Sequence, residues 1–205
     1  RWHALTPDDM KWASQHHPVE ATFRQDRLLI KDGLLKAFSN VSSVPAAELG
    51  PRNTAEPLLD VERASIIQDR ACNLASFSDY CAYLKQKRPG SVKQISTNPD
   101  VIRILEENYG SARDVEFFVG LFCEDRVPNS PLPNLVLVFV ALDAFSQALT
   151  NPLLSEHVFN PKTFSRPGWR AIQKTSSLRD VLDRNVPGGV GDAFIVMTLP
   201  DVQPE

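Results

Sequence analysis

The side chains with the most chemistry to offer stand together at the start of the chain, Arg1-Trp2-His3. A neutral imidazole is a proton carrier near neutral pH and the commonest side-chain metal ligand, and His3 has an indole beside it. His16 and His17 are adjacent. Neighbouring residues do not share a helix face, so these two read as part of a solvated loop and not as a metal pair. Tyr80 and Tyr83 are oxidisable phenols that read first as core or rim aromatics. Pro187-Gly188-Gly189-Val190-Gly191 has phosphate-loop composition, but no helix or helpful Lys follows, and it reads as a tail or turn. No Ser/His/Asp or Cys/His set and no pair of acids offers a competing hydrolytic or nucleophilic centre.

These groups must be positioned by a fold of modest size. The 205 residues, 42% of them hydrophobic, supply enough apolar surface for one globular domain or a large part of one. A net charge of −3 gives no basic face for nucleic acid. Cys72, Cys81 and Cys123 are odd in number and lack a paired metal spacing. They read as free, partly buried thiols in a reducing or cysteine-indifferent compartment. The longest apolar run, Leu132 to Leu149, is broken by Pro133, Asn134, Asp143, Ser146 and Gln147 and falls short of a membrane span.

The periodicity predicts helices almost throughout. Thr6-Pro7-Asp8-Asp9 reads either as a helix start or as a turn leading away from His3. A short helix is expected over Asp32–Phe38 with Leu34, Leu35 and Phe38 inward, followed by a surface loop from Ser39 to Pro57. Further helices are expected from Leu58 to Ile67, from a Ser76 cap, from the Asn98-Pro99 start to Gly110, and from Val115 to Cys123. Glu124 to Pro133 reads as an exposed turn. Leu135 to Leu149 has the β-branched content of a strand but the length of a buried helix, and the helix is preferred. Pro152 to Pro167 reads as a loop, with Trp169, Ile172 and a helix from Leu178 capped by Ser176 or Ser177 closing the core. Lys85-Gln86-Lys87-Arg88 reads as a solvated basic face, and Pro200 to Glu205 as an exposed tail.

Several short motifs fall in colinear order. Arg1-Trp2-His3-Ala4-Leu5-Thr6-Pro7-Asp8 resembles the haem-ligand signature of the peroxidase–cyclooxygenase superfamily. Glu106 to Gly110, then Val115-Glu116-Phe117-Phe118-Val119-Gly120-Leu121, is similar to a run in the C-terminal half of the cyclooxygenases, as are Asp143-Ala144-Phe145-Ser146 and the stretch from Thr163 to Asn185. The resemblance implies an all-α fold, with residues 1–205 forming the C-terminal half of a mainly helical haem-peroxidase catalytic domain, incomplete without an upstream segment.

It also implies a site. His3 would be the axial ligand of a haem iron, with Trp2 packing beside it. A catalytic Tyr is expected just before Arg1, so no catalytic residue lies in this chain. Ser65 stands where the family's peroxidases have an Asn bonded to the far nitrogen of that histidine, and Phe118 where the cyclooxygenases have a Tyr reaching toward it. Phe117, Leu121, Leu142, Phe145, Ser146 and Leu149 would line an acyl channel, with Leu142 and Leu149 replacing the family's glycines. The peroxidase Arg-Asp-His-Gly-Leu-Pro motif is degraded to the run from Asp69 to Phe77. The implied activity is that of a haem-dependent fatty-acid dioxygenase. Peroxide oxidises the haem, a tyrosyl radical removes hydrogen from a polyunsaturated fatty acid, and O2 adds to the carbon radical. The implied partners are that fatty acid, O2, the upstream half of the same protein, and a membrane touched peripherally by upstream segments. Two other readings stand beside it: a haem peroxidase without lipid activity, and a non-catalytic all-α interaction domain.

Overall fold

The computed structural model describes residues 3–12 and 15–198. Trp2 and the stretch from Pro200 to Glu205 therefore lie outside the described residues. The chain divides into two compact units, one formed by Arg1–Thr6 with Ala47–Gln147, the other by Pro7–Ala46 with Ala148–Glu205.

The first unit carries the larger core. It begins with a single 3-10 turn, His3–Leu5, and contains α2 (Leu59–Ala71), α3 (Phe77–Tyr83), α4 (Pro99–Asn108), α5 (Phe117–Cys123) and most of α6 (Asn134–Thr150). Local capping sets several of the starts. Ser76 accepts the Asp79 N–H at 3.2 Å, and Asn98 accepts the Asp100 N–H at 2.9 Å with Pro99 in the first turn of α4. Phe77, Leu105, Val115 and Leu135 are at most 1% exposed and centre the core. Gly120 lets α5 close onto α3, because a Cβ there would enter the space of the Phe77 ring. Tyr80, Phe117 and Phe139 pack ring against ring at centroid distances of 4.2 to 5.8 Å, so Tyr80 is a core aromatic while Tyr83 is exposed.

The second unit holds β1 (Asp9–Trp12), β2 (Gln15–Pro18), α1 (Asp26–Ser42), α7 (Pro161–Gln173) and α8 (Leu178–Asn185). Leu182, Val190 and Ile195 form its small core, with Leu35, Phe38 and Leu178 packed against them. Asp180 completes a reciprocal cap with Ser177 at the start of α8. The glycine-rich loop wraps this core as a turn. Asp183 accepts the Val190 N–H at 3.0 Å, and Arg179 donates to the carbonyls of Ala193 and Gly191.

Five expectations need correction. The all-α class holds apart from one antiparallel hairpin, in which Met10 pairs with His17 and Lys11 with His16. Of the two readings of Thr6-Pro7-Asp8-Asp9 the turn holds, leading into β1, and the histidines sit in β2 and not in a loop. Second, α1 runs well beyond Asp32–Phe38 on both sides, with a break at Gly33, whose φ of 73° is open to glycine. That break resets the helical phase, leaving Leu34 exposed while Leu35 and Phe38 reach the core. Third, α7 begins at Pro161 inside the expected loop, bent at Ser165 with Pro167 within it. It buries no residue, and Trp169 packs with Phe159 and Phe164 while Ile172 is exposed. Fourth, the Glu124-to-Pro133 turn is anchored, since Pro133 is fully buried. Fifth, α6 is buried at its start only: Leu135 and Val136 are buried, but Leu142, Phe145 and Leu149 are 55%, 68% and 86% exposed.

Candidate functional site

His3 is held through the backbone that follows it. Thr6 N–H donates to the His3 carbonyl at 2.9 Å, Ala4 is buried, and the Ala47 N–H donates to the Leu5 carbonyl at 3.0 Å. The first residues are thereby tied to the chain leading into α2. The imidazole is partly shielded, 29% exposed, and its Nδ1 lies 3.1 Å from Oε1 of Glu62 on α2. An ionised carboxylate only accepts, so in the neutral imidazole the proton belongs on Nδ1 and the lone pair on Nε2. Thr54 adds a longer hydroxyl contact of 3.5 Å to the same carboxylate oxygen.

The expected partner of this nitrogen, Ser65, lies one turn farther along α2. Ser65 is buried, and its hydroxyl donates to the Val61 carbonyl at 2.8 Å. The side chain that meets His3 Nδ1 from α2 is Glu62, while the Ser65 hydroxyl bonds its own helix. The pairing joins residues 59 positions apart, so no local pattern announces it. The available signal was weak: Glu62 stands three residues before Ser65, on the same side of a helix.

Ser65 does share a cavity with Phe118. A space of about 200 Å³ is lined by Ser65, Gln68, Asp69, Cys72, Leu74, Phe117 and Phe118. It is smaller than the usual 300–1,000 Å³ of a small-molecule site, so alone it is no haem cleft. Phe118 has no hydroxyl to send toward His3, and its ring packs on Phe122 with centroids 4.8 Å apart. Its backbone is engaged instead. The Phe118 N–H donates to Oδ2 of the buried Asp69 at 2.9 Å, which satisfies one of the free donors at the start of α5. Next to it Arg70 grips Glu116 through two contacts of 2.5 and 3.1 Å, and Tyr109 donates its hydroxyl to Glu116 at 2.7 Å. The Arg70 guanidinium, followed by the Tyr109 bond, holds the Glu116 carboxyl below its ordinary range. Burial, reinforced by the bond to Glu116, pushes the Tyr109 phenol upward. Asp69 and Arg70 open the run that stands in place of the peroxidase motif. They clamp α2 to α5.

The residues expected to line an acyl channel do not converge. Phe117 is locked between Tyr80 and Phe139, and Leu121 packs against the same core. Leu142, Phe145, Ser146 and Leu149 are exposed along α6. Cys81 and Cys123 are buried free thiols raised by desolvation to about 11, whereas Cys72 is free and exposed. No cluster of three or more His, Cys, Asp or Glu that could hold a metal ion occurs among the described residues. No helix among them is long and apolar enough to cross a membrane.

The animal haem peroxidase family model matches residues 46–193, most of the chain. The chain belongs to the animal haem peroxidase family. Within that family it is similar to prostaglandin G/H synthase 1 of Oryctolagus cuniculus, 28% identical over 187 residues that cover 90% of this chain and 30% of the relative. It is also similar to prostaglandin G/H synthase 2 of Gallus gallus, at 26% identity, covering 96% of this chain and 33% of that one. The chain thus spans about a third of the length of the curated relatives it matches. Among solved structures, the Oryza sativa fatty acid alpha-dioxygenase superposes with a TM-score of 0.81 at 18% identity, over 94% of this chain and 39% of that one. Peroxidase A of Dictyostelium discoideum superposes with a TM-score of 0.72 at 14% identity, over 89% of this chain and 38% of the other. The helical haem peroxidase fold is therefore shared. His3 and Glu62 stand differently toward the family match: Glu62 lies inside residues 46–193 and His3 before them.

Proposed function

We propose that this chain belongs to a haem-dependent fatty-acid oxygenase, in which it holds the iron from one side through His3. The observation that carries the reading is the contact of the imidazole: Nδ1 faces a carboxylate at 3.1 Å, an arrangement that in the neutral ring leaves the Nε2 lone pair for a metal. A single protein donor would suit a haem, because the porphyrin brings four nitrogen donors of its own. Membership in the animal haem peroxidase family supports the same cofactor. When bound, a haem supplies the oxidising power that turns a nearby tyrosine into a radical.

The chain's own residues would do four things. His3 holds its ring in register through the short turn from His3 to Leu5. Glu62 fixes the ring's tautomer. Phe118, lacking a hydroxyl, leaves the ligand without a phenol partner from α5. Leu142, Phe145, Ser146 and Leu149 offer a largely apolar wall along α6, suited to an acyl chain and to keeping water away from a carbon radical. The substrate class rests on the likeness to proteins named prostaglandin G/H synthase and fatty acid alpha-dioxygenase. The reaction proposed is hydrogen abstraction from a polyunsaturated fatty acid by a tyrosyl radical, then addition of O2 to the carbon radical, with the tyrosine returning its hydrogen to the peroxyl radical and so regenerating the tyrosyl radical. The tyrosine is sought in the polypeptide preceding Arg1, which would also complete the haem pocket and the channel.

The test uses the full-length protein that contains this chain. Purified with haem, it should show a Soret band and consume O2 with a polyunsaturated fatty acid. His3→Ala should abolish both. An unchanged Soret band in His3→Ala would overturn the ligand assignment. A haem-loaded protein that turns over peroxide but takes up no O2 with fatty acid would overturn the oxygenase reading in favour of a peroxidase.

A further inference from the structure

The contact between His3 and Glu62 carries a consequence for the iron that ligation alone does not. Glu62 sits within the first turns of α2, and its side chain is 21% exposed. Its charged neighbours are otherwise engaged. Arg63 pairs with Asp60 at 3.0 Å, and Arg70 pairs with Glu116. Among the described residues no Lys or Arg contacts Glu62, whose recorded partners are the His3 ring and the Thr54 hydroxyl. Its negative charge is therefore directed at the imidazole.

We propose that Glu62 is a positioning residue that sets the electron donation of His3, and with it the reduction potential of the haem. The inference rests on the assignment of His3 as axial ligand made above. A neutral acceptor on Nδ1–H only orients the ring. A carboxylate also draws the proton toward itself and leaves more electron density on Nε2, which makes the ligand more basic. A more basic ligand stabilises ferric over ferrous iron and so lowers the potential. Ser65 gives its hydroxyl to the Val61 carbonyl. The chain thus replaces a hydroxyl or amide partner by a charged one, and does so one helical turn earlier.

The experiment compares the full-length holoprotein with Glu62→Gln, Glu62→Ala and Ser65→Ala. The readouts are the Soret band, the haem midpoint potential, the iron–histidine stretching frequency of the ferrous form, and thermal melting. Glu62→Gln keeps the shape and an acceptor for Nδ1–H but removes the charge. It should retain haem, lower the stretching frequency and raise the potential. Glu62→Ala should show the same shifts and, in addition, hold haem about 10–100-fold more weakly. Ser65→Ala should match the parent in potential and frequency. Haem bound through His3, with Glu62→Gln unchanged in both potential and frequency at a parental melting temperature, would overturn this inference and leave the proposed function standing. Retention of the Soret band in His3→Ala would instead overturn the underlying assignment. If Glu62→Gln unfolds, Glu62→Asp decides: the carboxylate is kept but withdrawn, so a raised potential supports the inference and a parental one rejects it.

Discussion

The two halves of α6 both carry large apolar side chains, the second mixed with Asp143, Ser146, Gln147 and Thr150, and they meet opposite fates. At its start Leu135 is fully buried and Val136 nearly so, and Phe139 packs against Tyr80 and Phe117. Farther along, every residue from 141 to 150 is exposed, including Leu142, Phe145 and Leu149. The buried end is fixed by specific devices. Pro133 is fully enclosed, and Glu124 accepts the Leu135 N–H at 2.7 Å, satisfying a free donor in the first turn. At the other end no residue from 141 to 150 is enclosed, and Gln147 donates to Asp143 along the helix surface at 2.7 Å. Apolar composition states which surface would gain from cover, while burial depends on what the rest of the fold brings to it. Several large apolar side chains left uncovered on one helix are what an acyl channel wall or a docking surface requires, and what a solitary structural helix does not.

The sharpest way to break this contrast is to truncate the buried end. Leu135→Ala removes a fully buried side chain from the main core and should cost about 2–5 kcal/mol of unfolding free energy. Chemical denaturation of the full-length protein checks it. A loss under about 1 kcal/mol would mean that this end of α6 is no better packed than the other.

A second, smaller effect concerns the anchor itself. Burial, the larger cause, raises the Glu124 carboxyl above its ordinary value, against the opposing pull of the Leu135 N–H. An acid whose native pKa is raised binds more protons folded than unfolded in the interval between the two values. Stability therefore falls as pH rises from the ordinary carboxylate range through the raised value, and stays lower above it. Glu124→Gln keeps an acceptor for the Leu135 N–H and cannot titrate. Its denaturation midpoint should lack that part of the decline, measured between pH ~4 and ~7. An identical pH profile in parent and variant would show that Glu124 is solvated, and that the start of α6 is not the dry anchor described.

The same contrast marks how much of the molecule could be read from sequence. Helices whose starts carry their own caps were legible: Ser76 for α3, Asn98-Pro99 for α4 and Ser177 for α8. Features set by distant partners were not. Strands β1 and β2 have four residues each, and Thr6-Pro7-Asp8-Asp9 satisfies the local rules of a helix start just as well. Gly33 and Ser165 interrupt α1 and α7, so neither shows one continuous period. At the site, His3 was legible as a possible ligand because its neighbours form a motif. Glu62 was not, because its only link to His3 is tertiary. Asp69 was hidden for the same reason: its value lies in a backbone N–H 49 positions away.

The smallest expected effect on stability is at the far end of α6, and it sharpens the comparison most. Leu149 is 86% exposed, so Leu149→Ala should move the unfolding free energy by no more than about 0.5 kcal/mol. Alanine is the better helix former, so propensity gives no reason for a loss. If Leu149 belongs to the wall of an acyl channel, truncating it removes apolar contact with the fatty acid. KM for the fatty acid should rise, with the Soret band and the melting temperature at parental values. The two measurements separate three structures. A melting loss comparable to Leu135→Ala would mean that Leu149 is packed in a core, and the contrast between the ends of α6 would fail. Parental stability with parental KM would place the side chain in solvent and remove it from the channel. Parental stability with a raised KM is the one outcome in which this apolar surface is left open by the chain because the substrate covers it.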